Sequence, residues 1–282
     1  MIHSDIHSDV HSDDDEYENE HTKFMKCNNC GKFGHTIKQC TCPIRSYGII
    51  TYYIDENDDI WLLLIQRKYT YEFCDFIKGN FENVEQLKQL LKQFTNIELF
   101  LVFEYFKDDY KKMFITTTPR QTLNTKMFVK FESQFNKIIK PHIDIIHTYV
   151  NQLIYVIPRN TISEMLWEIP RGKKNHWEKP INCAMREFSE ETGVNKKKLI
   201  HKKEINVVNE KIIGTNSIEY EFSYYVMKLK NKENVYVDST LFEQHSEVRN
   251  VCWIKYGDAL ELFKRSFKER YDILLKLKDT LK

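Results

Sequence analysis

Between Pro180 and Gly193 the chain has room for one helix and little else. Proline suits a first helical turn, where its fixed φ is already right and its missing N–H would have had no partner. Glycine readily ends a helix in the left-handed conformation. The residues between them, Ile181 to Thr192, are good helix material. On that helix Glu187, Glu190 and Glu191 stand at i, i+3 and i+4 and share one face. Cys183, Ala184 and Phe188 fall toward another face, which needs an apolar partner such as a sheet. The helix must therefore separate a packed layer from a patch of concentrated negative charge.

Three carboxylates on one patch repel each other unless something collects them. A hard divalent cation does so, and carboxylate oxygens with several waters are a typical Mg²⁺ or Mn²⁺ environment. The neighbouring sequence is in register with this idea. Gly172 and Glu178 are separated by five residues, and seven more lead to Arg186-Glu187, then Phe188, Glu190-Glu191, Gly193 and Val194. A lone E-x-x-E-E is most often a solvated helix face, whereas the full spacing favours a functional site. Bound metal neutralises phosphate charge, polarises the phosphoryl oxygen and lowers the pKa of a bound water. A carboxylate not saturated by metal can take that water's proton. Arg186 beside the patch can orient a glutamate or meet a phosphate oxygen.

Leu166-Trp-Glu-Ile-Pro-Arg-Gly-Lys173 leads into this segment, and together they resemble the catalytic centre of the Nudix hydrolases. Tyr47-Gly-Ile-Ile-Thr-Tyr-Tyr, Leu62-Leu-Leu-Ile-Gln-Arg-Lys-Tyr and Phe73-Cys-Asp-Phe-Ile-Lys-Gly79 resemble a narrower group, the mRNA-decapping Nudix enzymes of large cytoplasmic DNA viruses. This likeness runs, with gaps, from about Ser46 to the C-terminus. It implies an α/β fold, the Nudix α/β/α sandwich. It implies a catalytic centre of Glu187 and Glu190 with Arg186 beside them. It also implies Mg²⁺ or Mn²⁺ held by Glu187, Glu190 and Glu191, and Glu178 as a ligand or a support for the helix. Gly172 would contribute its backbone carbonyl. In Glu247-Val-Arg-Asn-Val-Cys-Trp253 the first residue, Glu247, resembles an additional ligand or base, although a solvated glutamate before a strand reads the same way.

Cys27-x₂-Cys30-x₄-His35-x₄-Cys40 is a second constellation. Three thiolates and an imidazole suit tetrahedral Zn²⁺, and a closed set of four marks a structural site. Gly31 and Gly34 permit the tight turns this needs. The spacing resembles the retroviral-type zinc knuckle, which implies single-stranded nucleic acid as a partner. Lys26, Lys32 and Lys38 are placed to meet phosphates, but Asn28 stands where such knuckles often carry an aromatic ring. A purely structural or protein-binding knuckle is the alternative. Cys42, Cys74, Cys183 and Cys252 show no pairing pattern and read as free thiols in a reducing compartment.

The net charge of +1 conceals an asymmetry. Residues 1–20 carry eight acidic side chains and no Lys or Arg, so the remainder stands at +9 and suits an anionic substrate such as RNA. The opening repeats Ile2-His-Ser-Asp, Ile6-His-Ser-Asp and Val10-His-Ser-Asp, which is too polar to fold. Residues 1–24 are expected to be a disordered acidic tail and no signal peptide, and 25–42 the zinc knuckle. Residues 46–80 and 154–282 are expected to form the Nudix domain. Ser46 to Arg67 reads as a hairpin with its turn at Asp55–Asp59. Lys203–Asn209, Glu219–Leu229 and Val248–Ile254 read as strands, and Asp258–Lys282 as an amphipathic helical tail. Residues 81–153 read as a largely helical insertion, with Tyr105, Lys107, Tyr110, Lys111 and Lys112 as a surface that could guide RNA.

No apolar run approaches a membrane span. The expected function is removal of the 5′ cap from RNA in the cytoplasm (a host's, if the chain is viral), releasing m7GDP and 5′-monophosphate RNA. Hydrolysis of diphosphoinositol or dinucleoside polyphosphates is the first alternative, and a non-catalytic RNA-binding protein the second.

Overall fold

The computed structural model describes residues 25–118, 121–156, 166–200, 207–214, 217–278 and 280–281. The tail expected over residues 1–24 lies outside them, as do residues 203–206 of one expected strand. Eight strands form one mixed sheet: β1 (Ile44–Ile54), β2 (Ile60–Arg67), β3 (Trp167–Glu168), β4 (Arg171–Gly172), β5 (Leu199–Ile200), β6 (Val207–Ile213), β7 (Glu219–Leu229) and β8 (Val248–Lys255). β1 lies at the centre. It runs parallel to β7, from Ile44 opposite Tyr220 to Tyr52 opposite Lys228. It runs antiparallel to β2 across the Asp55–Asp59 turn, where the Asp55 carboxylate accepts from the Asn57 and Asp59 N–H groups and from Trp61 Nε1.

Successive residues of a strand point to opposite faces, so a strand covered on both sides is buried without interruption. β1 is such a strand, buried from Ser46 to Tyr52. Ile49, Leu63 and Ile65 meet Cys183, Ala184 and Phe188 of the helix that runs Pro180–Thr192. Ile50, Leu62 and Leu64 meet Ala259, Phe263 and Leu274 on the opposite face. The result is the expected α/β/α arrangement. The C-terminal tail is two helices rather than one, Tyr256–Ser266 and Lys268–Leu277. Phe267 between them is extended, with φ −146°, which folds the last helix back so that Arg270 enters the interior beside Glu168 and Glu210.

In chain order the helices are α1 (Tyr71–Ile77), α2 (Val84–Lys92), α3 (Asn96–Tyr105), α4 (Tyr110–Thr117), α5 (Lys126–Gln134), α6 (Ile143–Val156), α7 (Pro180–Thr192), α8 (Phe242–Glu247), α9 (Tyr256–Ser266) and α10 (Lys268–Leu277). The first six share a separate core. Phe76, fully buried, has the rings of Phe73, Phe81, Phe94, Phe106 and Phe131 between 5.6 and 5.9 Å away or packed through one another. The helical unit therefore reaches back to Tyr71, ahead of the start expected at residue 81. The cause is the aromatic content of Phe73-Cys-Asp-Phe-Ile, which only this core can bury. Its junction with β2 is tied by Glu98, whose buried carboxylate accepts from the Thr70 and Thr95 N–H groups at 2.6 and 2.7 Å. The basic aromatic surface expected here is largely self-satisfied. Tyr110 stacks on Phe135 at 3.9 Å, Lys111 pairs with Glu132 and Lys107 with Asp144.

Candidate active site

Helix α7 is framed as its sequence demands. Pro180 occupies the first turn and Gly193 closes it at φ 71°, where a side chain would be strained. Cys183, Ala184 and Phe188 anchor the helix to the sheet and turn the glutamates outward. Burial, with Glu187 and Glu178 nearby, pushes the Cys183 thiol up to about 12, so it stays an inert packing group.

The glutamates fall into two sets. Arg186 gathers the first: it meets Glu178 through Nε and Nη2 at 3.0 and 2.9 Å, and Glu187 and Glu190 through Nη1 at 2.7 and 2.9 Å. Nη2 also donates to the Lys173 carbonyl at 3.0 Å. These hydrogen bonds hold the Glu178 carboxyl below its ordinary range. The second set is Glu191 with Glu247. Glu191 accepts the Arg171 N–H at 2.9 Å and forms no ion pair among the described residues. Burial, then the charges of Glu187 and Glu247, push its carboxyl well above the usual carboxylate range. Glu187 is raised by burial too, against the pull of Arg186 and with a push from Glu190 and Glu247.

Gly172 is required by contact rather than by backbone conformation. A Cβ there would lie 2.1 Å from the Glu187 carboxyl carbon, so the glutamate rests directly on the glycine. The Gly172 carbonyl accepts from the Cys183 thiol at 3.5 Å.

Glu247 reaches this group through Gln244, a fully buried residue that its sequence context does not single out. Gln244 Nε2 donates to the Glu191 and Tyr236 carbonyls at 3.2 Å, and its Oε1 accepts the Asp238 N–H. This clasp fixes α8 against the C-terminal end of α7. The Lys68 N–H donates to the Glu247 carbonyl at 2.8 Å, which joins the end of β2 to the same place. Glu191 and Glu247 thereby share the wall of a cleft of about 320 Å³ with Arg67, Lys68, Tyr69 and Gln121. The cleft opens between the sheet and the helical unit. Arg67 lies over the Tyr71 ring at 3.6 Å, and its Nη1 is buried with no hydrogen bond among the described residues. Of the aromatics from Tyr69 to Phe76, Phe73 and Phe76 are sealed in the helical core, and Tyr69 alone lines the cleft.

The four knuckle residues converge. The ligand atoms of Cys27, Cys30, His35 and Cys40 all lie within 4.8 Å of one another, the one such group of Cys, His, Asp or Glu among the described residues. Gly31 and Gly34 take φ of 76° and 91° to make the turns. Burial raises the Cys27 thiol. For Cys40 burial is outweighed by hydrogen bonds from Asn29 and His35, which bring that thiol down to about 6. Asn29 also donates to the Pro43 carbonyl at 2.9 Å and accepts the Arg45 N–H at 2.8 Å, seating the knuckle on the start of β1. The donor set and its closure are those of a structural zinc site.

Among known families the chain matches the NUDIX domain over residues 141–276 and a zinc knuckle over residues 25–49. It is 22% identical to a putative mRNA-decapping protein of Acanthamoeba polyphaga mimivirus, covering 93% of this chain and 96% of that one. It is 29% identical to an mRNA-decapping protein of African swine fever virus over 53% of this chain and 59% of that one. A solved Ap4A hydrolase of C. elegans covers 84% of the chain at 14% identity with a TM-score of 0.41, a resemblance too slight to weigh. The glutamate spacing on α7, the layered fold beneath it and these matches agree: the chain carries a Nudix hydrolase domain, preceded by a zinc knuckle.

Proposed function

We propose that the chain hydrolyses the 5′ cap of RNA, releasing m7GDP and a 5′-monophosphate RNA. The observation that carries this reading is that Glu191 and Glu247, with the charge of Glu187 acting on Glu191, line a cleft shared with Arg67, Lys68 and Tyr69. The viral decapping relatives favour capped RNA over other diphosphates.

The donor set fits a hard divalent cation. It offers carboxylate oxygens, they repel one another, and Gly172 leaves the space that keeps Glu187 among them. Glu187, Glu190, Glu191 and Glu247, with the Gly172 carbonyl, would hold Mg²⁺ or Mn²⁺. Bound there, the metal supplies charge neutralisation, polarisation of the phosphoryl oxygen and acidification of a water. The chain's own groups do the rest. Glu187, with its raised carboxyl, accepts the proton of the attacking water. Arg186 spends its donors on Glu178, Glu187, Glu190 and a backbone carbonyl, which supports a positioning role for it. Glu178, doubly bonded to that guanidinium, braces α7. Arg67 and Lys68 balance the charge of the phosphate bridge, and Tyr69 offers a ring to the cap base.

The deciding experiment incubates cap-labelled RNA, a cap dinucleotide and diphosphoinositol pentakisphosphate in parallel with Mg²⁺ or Mn²⁺. Release of labelled m7GDP from RNA, lost in Glu191→Gln, is expected. Turnover of the small phosphates alone would sink the decapping reading.

A further inference from the structure

A groove of about 240 Å³ lies where the knuckle meets the loop before α7, bordered by Glu178 but not by Glu187, Glu190, Glu191 or Glu247. Lys26 and Asn28 line it from the knuckle, and Lys174, Trp177 and Lys179 from the loop. It is smaller than the roughly 300–1,000 Å³ of a typical small-molecule site, so it suits a portion of a chain rather than a whole ligand.

Three features point to its occupant. The first is Trp177, whose indole is 72% exposed although its backbone sits at φ +63°, a costly conformation for a bulky residue. An apolar ring of that size is held out to water at the rim of a groove. The second is charge. Lys26 lies over the Trp177 ring at 5.8 Å, and Lys26, Lys174 and Lys179 form no ion pair among the described residues. Lys107 and Lys111 of the helical unit, by contrast, are committed to carboxylates. The one acid lining the groove, Glu178, is held by Arg186. The third is rigidity: Asn28 Nδ2 donates to the Lys174 carbonyl at 2.7 Å, fastening knuckle to loop and fixing where the ring stands. A flat exposed ring flanked by uncommitted cations matches a base and its adjoining phosphates.

We infer that the knuckle and the 173–180 loop form one seat for single-stranded RNA, in which a base stacks on Trp177 and the phosphates on either side meet Lys26, Lys174 and Lys179. The seat rests on the decapping reading for its choice of RNA. Neither half suffices: the knuckle supplies cations and the anchoring amide, and the hydrolase loop supplies the ring. A transcript held here is gripped close to Glu178, the brace of the catalytic helix, and its 5′ end is delivered to the cleft from the knuckle side.

The test uses the full chain loaded with zinc and an uncapped uridine oligonucleotide, with binding read by fluorescence anisotropy across a salt series. Trp177→Ala is expected to weaken binding roughly 5- to 150-fold, the range for loss of one stacked base. Trp177→Phe should retain most of the affinity. Lys26→Gln, on the knuckle and outside the carboxylate centre, should flatten the salt dependence by about 0.7 in log–log slope, one phosphate's share for a single strand. Cap-dinucleotide hydrolysis should be unchanged in all three. Full RNA affinity in Trp177→Ala would overturn the seat, as would a polyglutamate peptide that binds as well as RNA and is lost in the same variant. Wild-type protein that hydrolyses the cap dinucleotide yet binds no uncapped RNA also overturns the seat and leaves the decapping reading standing. Wild-type protein that binds RNA through Trp177 yet cleaves no cap upholds the seat and ends that reading.

Discussion

The chain gathers two sets of donor groups suited to metal, and they are made in opposite ways. The knuckle draws four soft donors from the short stretch Cys27–Cys40, and its ligand atoms sit within 4.8 Å of one another. The carboxylate centre draws hard donors from β4, α7 and α8, with Arg186 bridging one set and the Arg171 N–H holding Glu191 of the other. A closed soft site fixes a shape, whereas an open hard site keeps room for substrate and water. The difference teaches that one centre is a fold in itself and the other is a product of the whole domain.

The largest expected break in this comparison is Glu191→Gln. It removes a carboxylate proposed to hold the metal and should lower kcat/KM on cap-labelled RNA by more than the roughly 10–100-fold typical of changes one shell further out. The metal-free protein should melt at the same or a higher temperature, because Glu191 is raised by burial and by Glu187 and Glu247, and a neutral amide relieves that repulsion. Gly172→Ala should come next. The added Cβ displaces the Glu187 carboxylate, a flexible group that moves at small cost in stability. A fall of about 10²-fold in kcat is expected, of the order seen when reacting groups are misplaced by an ångström, with little change in melting temperature. Glu247→Gln sharpens the boundary of the open site. It should cost about tenfold, the low end for groups supporting a metal, and much of the loss should be recovered at high Mn²⁺ if Glu247 is a ligand. Cys30→Ser tests the closed site. Zinc content should fall by about one equivalent, whereas cap-dinucleotide hydrolysis should barely change. Equal loss of hydrolysis in Cys30→Ser would show that the two centres are not separable.

Much of this is legible in the amino-acid sequence. The helix from Pro180 to Thr192 was readable because its signals are local: a proline start, a glycine stop and an apolar face at helical spacing. The strands Glu219–Leu229 and Val248–Lys255 were equally plain. The start of the helical unit was not, because Tyr71–Ile77 is too short to declare its partner and only the surrounding phenylalanines explain it. Phe267 was hidden inside a pattern that stays amphipathic across it, and the break appears only where Arg270 must turn inward. Gln244 gave no signal, since a buried glutamine that clasps a helix end looks like any surface residue in a string of letters.

By itself the sequence determined the two donor sets: the knuckle's thiols and imidazole, and the glutamates spaced to share one helical face. Both follow from short-range geometry, the tight turn and the 3.6-residue period, which do not depend on the rest of the chain. Only the tertiary structure decided that Glu247 would join Glu191, and that Asn28 would fasten the knuckle to the loop bearing Trp177. Those are meetings of distant segments. They are set by how the layers pack, and no local periodicity encodes them.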